Sequence, residues 1–376
     1  MAQLLQDAHR QGTVSGLKVI AGAPPCGVAF LFRGGLRAGI LIGMNPVELT
    51  RKLIDIESIT GKEGAVATYL ASYLEELGYV VERMPVEGER FNVFARPANV
   101  DEPALVFSTH IDTVPPFLAS SEDAENIYGR GSCDAKGIIA AQIAACERLR
   151  TSGKSVGLLF VVGEERDSLG AAVANKNPRG SKFLVNGEPT DNRIALASKG
   201  ALRVEVTAHG KMAHSAYPEL GESAIDKLLD ALQALRAMEL PHNPEIGPST
   251  VNIGIIEGGR APNVIPDHAK AQLFIRLVDD GNSTRQAIAA AAAPSAEANE
   301  VLCIPALHLG AVPGYETSIV SYTTDIPAFQ GAWGQPYLFG PGSIHVAHTS
   351  EERIPKRELA ASVQTYQDLA RKLLSL

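Results

Sequence analysis

Apolar residues recur at helical spacing in two stretches between residues 47 and 77. Leu49 and Leu53 belong to the first stripe, and a second stripe runs from Ala65 to Leu77. A turn centred on Gly61 separates them. The pattern therefore predicts two consecutive amphipathic helices joined by a tight turn.

Strands and helices alternate in the following hundred residues. A continuous apolar run at Val156–Gly163 is typical of a strand that is buried on both faces. This alternation predicts an α/β domain whose central sheet is mixed, mostly parallel and flanked by helices. The other predicted elements are strands at Val80–Met84, Asn92–Ala95 and Ala104–Ser108 and a helix at Gly137–Arg150.

The pattern changes near Leu196. Alternating apolar and polar residues at Ala201–Ala208 predict a strand with one buried face. The elements after it are a helix at Ser223–Met238, strands at Thr250–Glu257 and Ala269–Val278, a helix at Thr284–Ala293 and a strand at Val301–Leu309. This βαββαβ order predicts an inserted ferredoxin-like α+β domain. We expect a catalytic domain at residues 44–195 and 312–376, the insertion at 196–311, and an extension of doubtful status at 1–43.

Composition narrows the class of partner. The net charge of −8 gives no support to a nucleic-acid or anionic-membrane partner. The apolar stretch at residues 24–43 contains Arg33, Arg37 and seven glycines and prolines, so it does not predict a membrane span. The four cysteines form no CxxC pair, which favours reduced thiols in a cytoplasmic protein.

Five segments place histidines or carboxylates near predicted strand ends. Alternation along a strand puts His110 and Asp112 on one face, where the carboxylate can accept the second ring proton of a metal-binding histidine. Taken singly, each segment has an ordinary alternative: a structural histidine, a helix cap at Asp134, or a solvated strand end. Together they offer nitrogen and oxygen ligands without a thiolate, which suits paired hydrolytic zinc ions. The candidates are His110, Asp112, Asp134, Glu164, Glu165, Glu188, His345 and His348.

With these motifs, the chain from about Met44 to its C-terminus resembles the acetylornithine deacetylase and succinyl-diaminopimelate desuccinylase group of co-catalytic zinc peptidases and amidohydrolases. The resemblance implies that His110 and Glu188 hold one zinc, that Glu165 and His348 hold the other, and that Asp134 bridges them. It also implies that Asp112 orients His110 and that Glu164 is the general base. His345 is the less favoured ligand, because His348 stands four residues before Glu352, as the family's terminal histidine does before its glutamate.

The predicted insertion carries further residues that match the family. By the resemblance, His214 reaches the partner subunit's active site and stabilises the oxyanion, which implies a homodimer formed through the inserted domain. Asn263 and Arg276 resemble binders of the substrate carboxylate, a task that suits the planar fork of arginine. From the residues alone, the preferred interpretation places Arg276 on the solvated face of an edge strand. The expected lining of the substrate pocket is Gly342, Ser343, Thr323, Thr324 and Asp325.

The resemblance thus implies a zinc-dependent enzyme that hydrolyses the amide bond of a small N-acyl-L-amino acid. A deacetylase or a desuccinylase of cytoplasmic amino-acid biosynthesis fits, and Co²⁺ or Mn²⁺ can occupy comparable sites. An aminopeptidase or dipeptidase with the same metal centre is an alternative. Two others belong to different classes: a non-catalytic metal-bound binding protein, and a structural oligomer whose acidic cluster is incidental.

Overall fold

The structure, a computed structural model, describes residues 45–375, so the expected extension at 1–43 lies outside its described part. The first helix begins where the sequence supplies a capping residue, because the side chain of Asn45 accepts a hydrogen bond from the N–H of Glu48. Pro46 occupies the first helical position, which needs no N–H donor. The α-helices in the described residues are α1 (Pro46–Ile54), α2 (Gly64–Glu76), α3 (Gly137–Thr151), α4 (Leu169–Asn175), α5 (Ala224–Arg236), α6 (Asn282–Ala292), α7 (Ile326–Phe329) and α8 (Lys356–Leu373). A short π-helix (Ser132–Lys136) and a short 3-10 helix (Pro218–Leu220) are also present.

The strands differ widely in length, and several consist of only two residues. In the described residues they are β1 (Tyr79–Glu87), β2 (Arg90–Pro97), β3 (Leu105–His110), β4 (Ser121–Glu122), β5 (Asn126–Tyr128), β6 (Gly157–Val161), β7 (Phe183–Asn186), β8 (Ile194–Ser198), β9 (Gly200–His209), β10 (Ala213–His214), β11 (His242–Asn243), β12 (Gly247–Pro248), β13 (Thr250–Gly258), β14 (Val264–Ile265), β15 (His268–Leu277), β16 (Glu297–Ile304), β17 (Leu307–His308), β18 (Thr317–Val320), β19 (Gln335–Leu338) and β20 (Arg353–Pro355).

A mixed sheet with the order β1-β2-β6-β3-β7-β19-β8-β17 forms the centre of the larger part. Its middle strands β6, β3, β7 and β19 run parallel, and antiparallel strands lie on both sides of them. Helices α1, α2, α3 and α8 contribute buried residues to the core on one face, whereas residues of α4 and α7 pack with Trp333 on the other. The predicted α/β class with a mixed sheet between helices is confirmed.

A second sheet, with the order β13-β15-β9-β16, is antiparallel throughout. Helices α5 and α6 pack against its buried face around Val206, Leu228 and Leu273. Its elements follow one another as β9-α5-β13-β15-α6-β16, which is the βαββαβ order predicted for the ferredoxin-like insertion. The domain boundaries at residues 195/196 and 311/312 stay predictions.

The predicted strand at Val301–Leu309 is wrong in its bounds. Strand β16 begins at Glu297 and ends at Ile304, and the short strand β17 follows Pro305. The pairing of β16 with β9 shifts register between Glu300 and Leu302, so the strand does not keep a regular alternation. Glu297, Asn299 and Glu300 near its beginning are polar and exposed, and an apolar pattern could not find them.

Two further sequence-based expectations concern cysteines and membranes. Cys133, Cys146 and Cys303 are free, the first two are buried, and Cys26 lies outside the described residues. Among residues 45–375, no helix combines the length and the apolarity that crossing a bilayer requires.

Candidate metal centre and active-site cleft

Three parallel strands deliver the candidate ligands to one edge of the central sheet. Strand β3 lies between β6 and β7 and runs parallel to both. Its last residue is His110, while Glu164 and Glu165 follow β6 and Glu188 follows β7. Because the carboxyl ends of parallel strands meet at one edge, residues far apart in sequence converge there.

Asp134 lies between two histidines. Its Oδ1 is 2.9 Å from Nε2 of His110, and its Oδ2 is 3.3 Å from Nε2 of His348. The same nitrogen of His348 is 3.0 Å from the carboxylate of Glu165. Although burial acts in the opposite direction, the hydrogen bonds to His110 and His348 lower the pKa of Asp134. Hydrogen bonds to Asp134 and Glu165 raise the pKa of His348 to about 10.

The expectation that Asp134 caps a helix is wrong. Helix α3 begins at Gly137, and its capping position is occupied by Lys136, whose side chain makes no capping hydrogen bond. Asp134 instead stands before the helix, where a buried ion pair holds its loop. Arg130 Nη1 lies 2.6 Å from Oε2 of Glu352, and the other carboxyl oxygen accepts the N–H of Gly131 at 2.9 Å. Such a buried, paired arginine in a glycine-rich segment is a signal that the sequence interpretation passed over.

The remaining two glutamates lie in a strongly acidic environment. Burial raises the pKa of Glu188 well above its ordinary value, and the carboxylate of Glu164 acts in the same direction. Burial also raises the pKa of Glu164, with Asp325 and Glu165 adding to the effect. Oε1 of Glu188 is buried and has no hydrogen-bond partner among the described residues. The cluster therefore holds more negative charge than its two imidazoles balance.

Ligand atoms in this cluster approach one another closely enough to share cations. Three groups have one such atom per residue within 4.8 Å of the others. Two of these groups share Asp134, and the third contains both adjacent glutamates. They are His110–Asp134–Glu188, Asp134–Glu165–His348 and His110–Glu164–Glu165. His345 is exposed and belongs to none of these groups.

Asp112 makes more contacts than its predicted bond to His110. Nδ1 of His110 is 3.0 Å from the main-chain oxygen of Asp112 and 3.5 Å from its Oδ1. The carboxylate accepts the N–H of Glu164 at 3.1 Å and the N–H of Glu165 at 3.2 Å. The hydroxyl of Thr60 donates to it at 2.8 Å. Asp112 therefore connects the histidine to both adjacent glutamates.

We expect Thr60→Val to lower kcat about 10-fold with little change in KM, because losing a hydrogen bond to a group that orients a ligand has effects of this size. Thr60→Ser restores the hydroxyl and is expected to recover most of the rate. Thr68→Val is the matched control, since the hydroxyl of Thr68 bonds only to the carbonyl of Gly64 on an exposed helix face. Steady-state kinetics of the three variants test this role, and a wild-type kcat in Thr60→Val would contradict it.

A cleft of about 600 Å³ opens beside the cluster. Its walls include five of the candidate ligands or bases, which are Asp134, Glu164, Glu165, Glu188 and His348. Arg276 also lines it, and its guanidinium carbon lies 4.7 Å from the centroid of the Phe274 ring. Nη1 of Arg276 is buried without a hydrogen-bond partner among the described residues. The cleft thus joins the acidic cluster to one arginine with bonding capacity to spare.

The other expected substrate contacts divide into two sets. Thr323 and Thr324 line the cleft, and so does Tyr322, which the sequence interpretation missed. Asp325 is fully buried and stands outside the lining, and burial raises its pKa to about 7. The remaining two also stand outside the lining: Gly342 packs on Cys133, and the carbonyl of Ser343 lies 3.8 Å from the Sγ of Cys133.

His214 and Asn263 lie together, apart from the cleft of their own chain. His214 is on β10, which pairs with β14, and the carbonyl of Asn263 accepts the N–H of Ser215 at 3.1 Å. Neither residue is among those that line the cleft, and both are exposed. Any role of these side chains in the chemistry therefore requires a second chain or a movement of the two-stranded β10–β14 pair.

Comparison with known sequences shows similarity to peptidases. The peptidase dimerisation domain profile matches residues 196–300. A peptidase M20 domain-containing protein of Schizosaccharomyces pombe is 41% identical over 336 residues, covering 86% of this chain and 84% of that protein. A probable carboxypeptidase of Aspergillus niger is 37% identical over 363 residues, covering 85% of this chain and 87% of that protein.

Solved structures show the same fold at lower identity. A tripeptidase from Staphylococcus aureus superposes with a TM-score of 0.72 at 20% identity, covering 89% of this chain and all of the other. A dinuclear metal binding peptidase of the M20 family from Bacillus subtilis superposes with a TM-score of 0.63 at 18% identity, covering 88% and 98%. At these identities the likeness concerns the fold alone.

Proposed function

The chain belongs to the peptidase M20 family of metal-dependent amide hydrolases, and from this premise we propose that it releases an amino acid with a free α-carboxylate from an N-acyl derivative or a short peptide. One observation carries the proposal: Asp134 is shared by two groups of ligand atoms on the wall of the cleft that Arg276 also lines. This arrangement provides for bond cleavage at the ligand cluster and for carboxylate binding at Arg276.

The donor set fits two divalent cations. His110 and Glu188 would hold one ion, Glu165 and His348 the other, and Asp134 would bridge them. The unpartnered Oε1 of Glu188 and the excess of buried carboxylates support this assignment, because a buried anion is costly unless a cation compensates it. Nitrogen and oxygen donors without thiolate suit Zn²⁺, and Co²⁺ or Mn²⁺ can occupy such a site. The relative from Bacillus subtilis, described as a dinuclear metal binding peptidase, supports the same number of ions.

Metal ions bound there would supply Lewis acidity toward the scissile carbonyl and favour ionisation of water at neutral pH. The protein's own groups perform the proton transfers. Glu164 takes the proton from the attacking water as it adds to the carbonyl, then delivers it to the departing amine. The carboxylate of Asp112 accepts the backbone N–H of Glu164 and so keeps that residue in place. The base is therefore already positioned before the reaction begins.

Arg276 binds the substrate's α-carboxylate, and His214 with Asn263 comes from the partner subunit. Support for a homodimer comes from strand β13, which pairs only with β15 in the described chain and exposes Ile255 and Ile256. An exposed apolar edge strand is a surface on which a second copy can pair. The match of the dimerisation-domain profile to residues 196–300 supports the same assembly.

The identity of the acyl group separates the candidate activities. A deacetylase of acetylornithine, a desuccinylase, a dipeptidase and a carboxypeptidase all cleave the amide beside the residue that keeps its carboxylate. The name carboxypeptidase, which the Aspergillus niger relative carries, favours peptides as substrates beside N-acyl amino acids. A cytoplasmic location and a place in amino-acid biosynthesis remain predictions from the sequence.

A paired substrate set tests the proposal. We expect chelator-sensitive hydrolysis of N-acetyl amino acids or dipeptides, and a loss of about 10- to 100-fold in kcat/KM when the carboxylate is converted to an amide, as expected for a charged hydrogen bond. Arg276→Gln should show the same loss with the carboxylate substrate and none with the amide. Arg203→Gln is the matched control, because Arg203 is exposed, bonds to Gln272 and does not line the cleft. Equal turnover of acid and amide by the wild-type protein would refute the proposal.

A further inference from the structure

The strand register of the smaller sheet, the four-stranded sheet β13-β15-β9-β16, determines which residues lie beside Arg276 in the cleft. Arg276 on β15 is paired with Ala201 on β9, and Ala201 is paired with Ile304 on β16. These three residues form one row across the sheet, with neighbouring strands about 4.8 Å apart. All three line the cleft. A substrate whose carboxylate is bound by Arg276 therefore has a small residue and then a branched apolar residue next to it.

A second row on the same face extends this apolar surface. Side chains two residues apart on a strand share a face, so Phe274 and Leu302 flank the first row, and both line the cleft. Between them in register stands Arg203, whose Nη2 donates to Oε1 of Gln272 at 3.0 Å, further along the strand from Arg276. Arg203 is outside the cleft lining, and its side chain is directed to Gln272.

The larger part of the protein contributes apolar residues to the same cleft. Pro327 and Ala328 come from helix α7 and Ile344 from the segment before His348, and all of them line the cleft. They face a substrate bound beside the smaller sheet from outside that sheet. The cleft therefore has apolar residues from the larger part of the protein as well as from the smaller sheet.

The carboxylates that line the cleft already have partners or belong to the acidic cluster. Four of its carboxylates belong to the acidic cluster, and the fifth, Asp167, pairs with Arg166 at 3.1 Å and accepts the N–H of Leu169 at 3.2 Å. Among the described lining residues, no further carboxylate is present to bind a substrate ammonium group. Burying an unpaired charge there would be costly. A cationic side chain such as that of ornithine therefore finds no carboxylate outside the acidic cluster and the Arg166–Asp167 pair, and an anionic one would compete for Arg276.

We propose that the residue released with its free carboxylate has a bulky apolar side chain, of the size of leucine, methionine or phenylalanine, which contacts Ile304 and Leu302. This inference rests on the proposed function, because it takes the carboxylate to be bound by Arg276. It replaces the expectation of an acetylornithine-like substrate with a class that the walls of the cleft can accommodate.

The wild-type test compares kcat/KM within two series, the N-acetyl and the glycyl derivatives of leucine, phenylalanine, alanine, ornithine and aspartate. In whichever series is hydrolysed, we expect leucine to exceed alanine at least about 10-fold, since each methylene in an apolar pocket has a large effect. Ornithine and aspartate should be lower than leucine by about 100-fold. Equal or faster turnover of ornithine or aspartate overturns the inference and leaves the proposed function standing. Hydrolysis of neither series would instead refute the proposed function.

Truncation of the apolar wall locates the binding surface. Ile304→Ala should lower the leucine-to-alanine ratio of kcat/KM about 10-fold, because the longer substrate loses its contact and the shorter one does not. Leu302→Ala, at a residue that is 43% exposed and tolerant of truncation, should lower the phenylalanine-to-alanine ratio. Val301→Ala is the matched control, because Val301 lies on the same strand, is exposed and stands outside the cleft lining. Unchanged ratios in both folded variants would overturn the assignment.

Discussion

Glu164→Gln is expected to lower kcat about 10³-fold while the bound metal stays at the wild-type level, because a positioned general base contributes about 10²- to 10⁴-fold. Glutamine preserves the shape of the side chain and the backbone N–H that Asp112 holds, but it cannot accept the proton of the attacking water. Single-turnover kinetics and metal analysis of the same preparation measure the two quantities together. Glu351→Gln is the control, an exposed glutamate that does not line the cleft.

The metal content in this experiment also separates two roles that the geometry brings close together. His110, Glu164 and Glu165 form a group of ligand atoms in their own right, so Glu164 could serve as a ligand in place of Glu188. If Glu164→Gln loses one ion, Glu164 is a ligand and the proposed base is wrong. If both ions remain and turnover is that of the wild type, the proton acceptor lies elsewhere.

The sequence predicted the layers of the fold because their burial is periodic. Strand β6 is buried along its whole length and has an uninterrupted apolar sequence, and helix α3 is buried over most of its residues. The prediction failed where a strand contains polar and exposed residues, as in β16. The first residues of β16 pack on one side only, and the register shift at Val301 removes the alternation that would mark a strand.

The candidate site was predictable only as a set of residue types. Strand ends carrying His110, Glu165 and Glu188 can be recognised from the chain, because charged groups after buried strands need an explanation. Which side chains position the candidate ligands depends on contacts between residues that are far apart in sequence. The bond from Thr60 to Asp112 spans 52 residues and the bond from Arg130 to Glu352 spans 222, and no local pattern encodes either one.

The second prediction with a large expected effect on activity concerns His214, which does not line the cleft of its own chain. We expect His214→Ala to lower kcat about 10²- to 10³-fold, the usual consequence of removing one donor to a developing oxyanion. The residue is exposed, its Nδ1 accepts the N–H of Ala216 at 3.1 Å, and it does not line the cleft, so folding and metal content should not change. Activity, metal content and the midpoint of thermal unfolding are measured on one preparation.

Mixing two inactive variants tests whether the histidine acts in the partner subunit. In a homodimer with exchanged donors, a Glu164→Gln chain paired with a His214→Ala chain has one site that lacks both groups and one site that is complete. Equal amounts refolded or exchanged together give about half mixed dimers, so about a quarter of the wild-type activity should return. If His214 acts within its own chain, every site in the mixture lacks one group and no activity returns. In that case the β10–β14 pair has to move toward the cleft of its own chain. The exposed edge of β13 then loses its proposed connection to catalysis.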